Sequence, residues 1–269
     1  MSREIVAQSL SAGTFAADVV RAVYAPALIT HTAAGVSAIL AGISALVFRK
    51  GEARHKLAGR TFVVSMLLVG LSGPLIAQSH VSFLTSLFAA YFVATAWRSA
   101  SRGVESGRLF ETGAFLWAVG LAACFLIFGL RAACSPTGRL DGYPASFHYF
   151  FAGLSTLAAA FDLRMLLRAP VSRDVTRHLI RMCLSLGMAS LSFFFGQQDR
   201  FPPAVRRSGV LAALVLAPFV VLLFWFVRVR FLQRLAFAPG LEMVGRGAIV
   251  LYWLGAAAGL LGLLRPRGI

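Results

Sequence analysis

An all-α integral membrane protein, folded as one domain over residues 1–269 with a bundle of about eight transmembrane helices, is the fold this sequence predicts. Three observations predict it. Of the 269 residues, 58% are hydrophobic and only 13% are charged, at a mean hydropathy of +0.78, and a water-soluble fold has no surface for that mixture. The apolar residues fall into eight runs, each near the ~20 residues that a bilayer-crossing helix needs. The basic residues stand between those runs, close to their ends. Eight spans use roughly 160 residues, which leaves no room for a soluble domain.

Residues 1–25 carry scattered charges and lack the compact apolar stretch of a cleavable signal peptide, so they are expected to form an extramembrane or interfacial segment. Pro26 then suits the first turn of a helix, where its missing N–H is not needed. The spans are expected at 26–48, 57–78, 81–97, 109–130, 146–167, 179–197, 209–227 and 247–264. A very tight turn at Ser79 and His80 joins the second and third, and His80 reads as a solvated loop residue. Pro74 and Pro218 read as kinks. Phe193, Phe194 and Phe195 suit the outer interface, and Gln197 and Gln198 a helix cap.

The 26 Lys and Arg against 10 Asp and Glu give a net charge of +16, which in a soluble chain points to nucleic acid. Their positions point instead to the lipid bilayer as partner, with no nucleic acid. Seventeen of the 26 lie in or beside the connections after spans one, three, five and seven, and nine lie on the other side. The positive-inside rule therefore places those connections in the cytoplasm and both termini outside. Only two of the 26 are Lys and the chain has no Asn, the bias of a GC-rich bacterial genome. Cys124, Cys134 and Cys183 have no CxxC spacing and suggest neither a disulfide framework nor a zinc site. No phosphate loop, HExxH, GxSxG or complete GxGxxG occurs.

Span one reads HTAAGVSAILAGISALVFRK from His31, and span five HYFFAGLSTLAAAFDLRMLLR from His148. Each is followed by a basic connection that ends in a histidine, His55 and His178. Two parallel four-helix repeats produce this layout, and so does chance similarity between Ala- and Gly-rich helices. The histidines thus form two depth classes, His31 with His148 near the outside and His55 with His178 near the inside. Two imidazoles from different helices are what a b-type haem requires. Gly35, Gly59 and Gly153 stand about one turn beyond their histidines, where a missing side chain admits a flat macrocycle. Arg60, Arg177 and Arg181 are placed to pair with propionates. The competing reading makes the histidines interfacial residues bonded to backbone, headgroups or water, and the small residues an ordinary packing stripe.

Asp162, in FDLRM on the inner half of span five, is the acidic residue that stands out, because a carboxylate inside a membrane span needs a cationic partner. Arg181, Arg60 or protonated His178 can supply it. The pair then either fixes spans five and six together or takes part in proton-linked transport. Glu52, Glu105, Glu111 and Glu242 read as charge balance in the basic connections.

The strings RKGEARHKLAGRTF from Arg49, DLRM from Asp162, RHLIRMCLSL from Arg177, SFFFGQ from Ser192 followed by Pro202, and FWFVRVR from Phe224 resemble a family of bacterial multi-pass membrane proteins grouped by a domain of unknown function. The resemblance runs from span one through span seven. It implies a bacterial inner-membrane protein and carries over no activity, substrate or catalytic residue. In layout alone, without a shared motif, the histidines also resemble those of helical-bundle b-type cytochromes. Three functions follow as expectations: haem-based electron transfer through the paired histidines, a transporter using Asp162, and a membrane scaffold.

Overall fold

The structure, a computed structural model, describes residues 2–101, 107–167 and 174–230. Among the described residues the chain is helical apart from one small hairpin. Its long helices are α1 (Ser2–Val47), α2 (Ala53–Ile76), α3 (His80–Ala100), α4 (Gly107–Ala133), α5 (Ala145–Leu166) and α6 (Val175–Phe194). A 3-10 turn at Gln198–Arg200 and the short α7 (Pro203–Arg207) lead to α8 (Val210–Arg230). Seven of the eight expected spans are thus helices, and the eighth, at 247–264, lies outside the described residues.

Among the described residues, five segments are long and apolar enough to cross a bilayer: Ala22–Val47, Ala53–Ile76, His80–Ala100, Arg108–Ala133 and Val210–Arg228. By length and composition these helices make a multi-pass, membrane-like architecture. At 22 and 20 residues, α5 and α6 have the length of a span, ~33 and ~30 Å at 1.5 Å per residue. Their composition is more polar because Asp162, Arg177 and Arg181 lie on them, all three buried.

Several local expectations are corrected. Pro26 lies inside α1 and not at its first turn, because the helix is continuous from Ser2. His80 is no loop residue: it opens α3, whose N-cap Ser79 accepts a bond from the Ser82 N–H. Phe194 is fully buried, packed in one core with Phe201, Leu211 and Leu214. The Gln197 and Gln198 side chains cap nothing. Lys50, just beyond α1, reaches back to its last carbonyls, Ala45 at 3.0 Å and Leu46 at 2.6 Å, where a cation meets the negative end of the helix dipole.

The connection from α4 to α5 is a β-hairpin, β1 (Arg139–Leu140) with β2 (Tyr143–Pro144). Asp141 and Gly142 turn it with φ of 52° and 82°, the two positive values that a type I′ turn needs and that Asp-Gly supplies.

The apolar interior has two parts, with α3 contributing to both. Ala89 and Val93 of α3 join residues of α1, α2, α6 and α8. Leu84, Phe88, Tyr91 and Phe92 join α4 and α5, where the Phe125 and Phe151 rings stack at 5.3 Å. Small residues permit the close approach of α2 to α3, since a Cβ at Gly70 or Gly73 would overlap Ala90 or Ser86. The repeat-related helices pack differently: α1 lies along α2, whereas α5 lies along α4, and α6 lies chiefly against α3 and α8.

Candidate functional site

A five-residue polar cluster occupies the end of the bundle where α5 ends and α6 begins. Its centre is Asp162, with no exposed surface, and Arg177 and Arg181 follow on the first two turns of α6. Asp174 starts that helix by accepting the Arg177 N–H at 2.8 Å, and its own N–H donates to the Ser99 carbonyl of α3 at 3.1 Å. This fixes the arginine-bearing turn against α3. Spacing then does the rest, because residues four apart share a helix face.

Arg177 Nη2 donates to Asp162 Oδ1 at 2.8 Å. The same guanidinium is bidentate on Glu111 of α4, Nη1 to Oε1 at 3.0 Å and Nη2 to Oε2 at 2.6 Å, a fork matched to a carboxylate. Arg181 Nη2 donates to Asp162 Oδ1, and the Tyr91 hydroxyl of α3 donates to Oδ2. The Arg181 guanidinium also sits 5.0 Å over the Tyr91 ring, a favourable cation–π arrangement. Two guanidiniums face two carboxylates, so the cluster is neutral as a whole, and four helices meet in it.

Of the three cations expected to partner Asp162, the structure uses Arg181. Arg60 is exposed and makes none of these contacts. His178 bonds elsewhere, to the Ala96 carbonyl at 2.9 Å. Sequence reasoning missed Tyr91 and the direct role of Arg177, and it took Glu111 for surface charge, whereas the Glu111 side chain is only 16% exposed. Glu111 lies opposite Arg177 only because α4 and α6 meet at this end, which no sequence spacing discloses.

The four paired histidines share one hydrogen-bonding pattern. Nδ1 of His55 lies 2.9 Å from the Ala45 carbonyl, Nδ1 of His178 2.9 Å from that of Ala96, and Nδ1 of His148 3.2 Å from that of Pro144. A carbonyl only accepts, so each Nδ1 carries the proton. His31 Nδ1 lies 3.2 Å from Ser72 Oγ, whose own hydroxyl donates to the Leu68 carbonyl at 2.5 Å, so His31 donates as well. The partners of His31 lie on α2, while His148 is held by Pro144 and lies against Gly129 of α4. Nothing in this packing directs the outer two rings at one iron.

Of the glycines expected to cradle a haem, Gly153 is exposed and Gly35 and Gly59 are half-buried. A Cβ at Gly59 or Gly153 would meet nothing within 4 Å, and one at Gly35 only Val69 at 4.0 Å; Gly153 lines a surface groove between α4 and α5. Two surface grooves, of about 440 Å³ between α4 and α5 and about 400 Å³ between α1 and α2, contain no histidine. Among the described residues no group of three or more His, Cys, Asp or Glu converges as a metal site would require.

No protein-family model, no curated protein and no solved structure matches the chain.

Proposed function

We propose that this protein is a multi-pass transporter of a bacterial inner membrane, with both termini outside, and that the Asp162–Arg177–Arg181 cluster is where the moving or coupling ion engages. One observation carries the reading: a wholly buried carboxylate is flanked by two buried guanidiniums, with Arg181 Nη1 and Arg177 Nε left without hydrogen-bond partners. Buried ionisable groups in membrane spans are costly and mark ion pathways by default. Open donors beside Asp162 offer an anion or a water a place to bind. The membrane and orientation assignments rest on the family resemblance and on the distribution of basic residues.

The test is charge movement through the purified protein in vesicles under a potassium diffusion potential, normalised to folded protein. Asp162→Asn is expected to lower the rate more than tenfold. An unchanged rate contradicts the proposal.

The neutral charge balance favours a second reading, in which the cluster only holds α5 to α6. It predicts lost stability for Asp162→Asn without any charge movement in the parent protein. Haem ligation by His31 with His148 and by His55 with His178 keeps one supporting feature, the protonated Nδ1 that fixes each ring as in metal-binding histidines. Its test is optical: a Soret band in protein from haem-supplied cells, lost on replacing His55 or His178.

A further inference from the structure

Three polar residues of α5 stand seven apart: His148, Ser155 and Asp162, all without exposed surface. Seven residues are close to two helical turns, so the three lie on one face with ~10 Å between neighbours. On α6, Leu184 and Met188 pack against the core of α3, α4 and α5. Arg181 and Ser185, each one turn from one of these, belong to that same face, and Ser185 is fully buried.

The hydroxyls along this path differ from those of many serines in the molecule, although Ser190, on the other side of α6, is also buried without a partner. Ser44, Ser72, Ser86 and Ser99 each donate to the carbonyl four residues back, the usual refuge of a helical serine in an apolar setting. Ser155 and Ser185 make no such bond. His148 Nε2, Ser155 Oγ, Ser185 Oγ and Arg181 Nη1 are buried with no partner among the described residues. Four unpartnered polar atoms on facing helices are what buried water satisfies, since such a water typically takes about three hydrogen bonds.

We infer that a file of water runs along this face of α5 from His148 through Ser155 to Asp162, and that it carries protons to and from the carboxylate. The inference rests on the transport reading and names its ion. His148 is built for the entrance: its Nδ1–H is held by the Pro144 carbonyl, so Nε2 has the lone pair that accepts a proton. At each hop one N–H or O–H bond breaks and one N–H or O–H bond forms, so a single positive charge moves and nothing is oxidised or reduced. Ser155 both donates and accepts at mid-path.

The experiment reads hydration first and proton movement second. In full-length protein with Cys124, Cys134 and Cys183 replaced by alanine, Ser155→Cys is treated in vesicles with aminoethyl methanethiosulfonate, which reacts with the thiolate that forms only in water. Leu157→Cys, on the exposed apolar face, is the control. Ser155→Cys is expected to react at least tenfold faster, and its labelling to block acidification of the vesicle interior. Labelling no faster than at Leu157→Cys overturns the water file, and so does fast labelling that leaves proton movement intact. If Ser155→Cys does not fold, Ser185→Cys is read by the same two criteria. Fast labelling in a protein that moves no charge overturns the transport reading and the proton route together, while a dry Ser155→Cys beside an Asp162-dependent flux overturns the route alone.

Discussion

Two carboxylates of this chain, Asp162 and Asp141, each accept bonds from a residue of α3 and from nitrogen donors, and their surroundings differ sharply. Asp162 is wholly buried among Arg177, Arg181 and Tyr91. Asp141 sits in the hairpin turn and bonds His80, the first residue of α3, from side chains that are 29% and 48% exposed. The chemistry of pairing is alike, but water screens one pair and is replaced by protein dipoles around the other. Burial makes the inner pair indispensable once built, because removing one partner strands a charge where nothing solvates it. The outer pair has water as its fallback.

Asp162→Asn is the sharpest way to break the comparison. It leaves the neutral cluster with an excess cation and is expected to cost about 3 kcal/mol or more, measured by denaturation in detergent. Tyr91→Phe removes one donor to the same carboxylate without adding charge, and about 2 kcal/mol is expected, the range for a hydrogen bond to an ionised group. Glu111→Gln keeps an acceptor for Arg177 but removes a charge that is partly solvated already, so about 1 kcal/mol is expected. A Glu111→Gln effect as large as that of Asp162→Asn would show that the balance of the whole cluster matters more than burial of its centre.

The outer pair gives the smallest effect and a pH signature. Bonds from the His80 backbone N–H at 2.8 Å and from its ring at 2.5 Å hold the Asp141 carboxyl below its ordinary value. A depressed carboxylate pKa stabilises the fold above the unfolded-state value, near 4, and the contribution disappears as pH falls through the folded-state value. Asp141→Asn is therefore expected to cost under about 1 kcal/mol at neutral pH and nothing once the parent carboxyl is protonated. Equal losses at pH 7 and at pH 2 would contradict the assignment.

The two pairs were also unequally legible in the sequence. Asp162 stands out because it interrupts an apolar run, and its partner Arg181 lies on the next predicted helix. The helices themselves announce their positions by length and hydropathy, which the bilayer dictates. Tyr91 and Glu111 give no comparable signal, since a tyrosine in an apolar helix and a glutamate beside arginines are ordinary, and only the meeting of α3, α4 and α6 makes them partners of this cluster. The hairpin was readable in principle: Asp141-Gly142 is a strong short-range turn signal. Its strands are only two residues each, too short to show the alternation that marks a strand in a sequence. Histidine spacing suggested paired depths, but spacing along helices says nothing about which helix each ring faces, and His31 faces α2 whereas His148 is held at the hairpin end of α5.

The central claim is that the buried cluster is kept for ion movement and not only for holding helices together. Replacing Asp162 by leucine and Arg181 by methionine removes one charge of each sign and leaves Arg177 with Glu111, a neutral pair. Apolar substitutes of similar volume for buried ion pairs are often neutral or stabilising, so this double variant separates fold from function. In vesicles under a potassium diffusion potential, with unfolding measured on the same preparation, the account predicts a protein as stable as its parent whose charge movement has fallen at least tenfold. Parent-level charge movement in the stable double variant would contradict it.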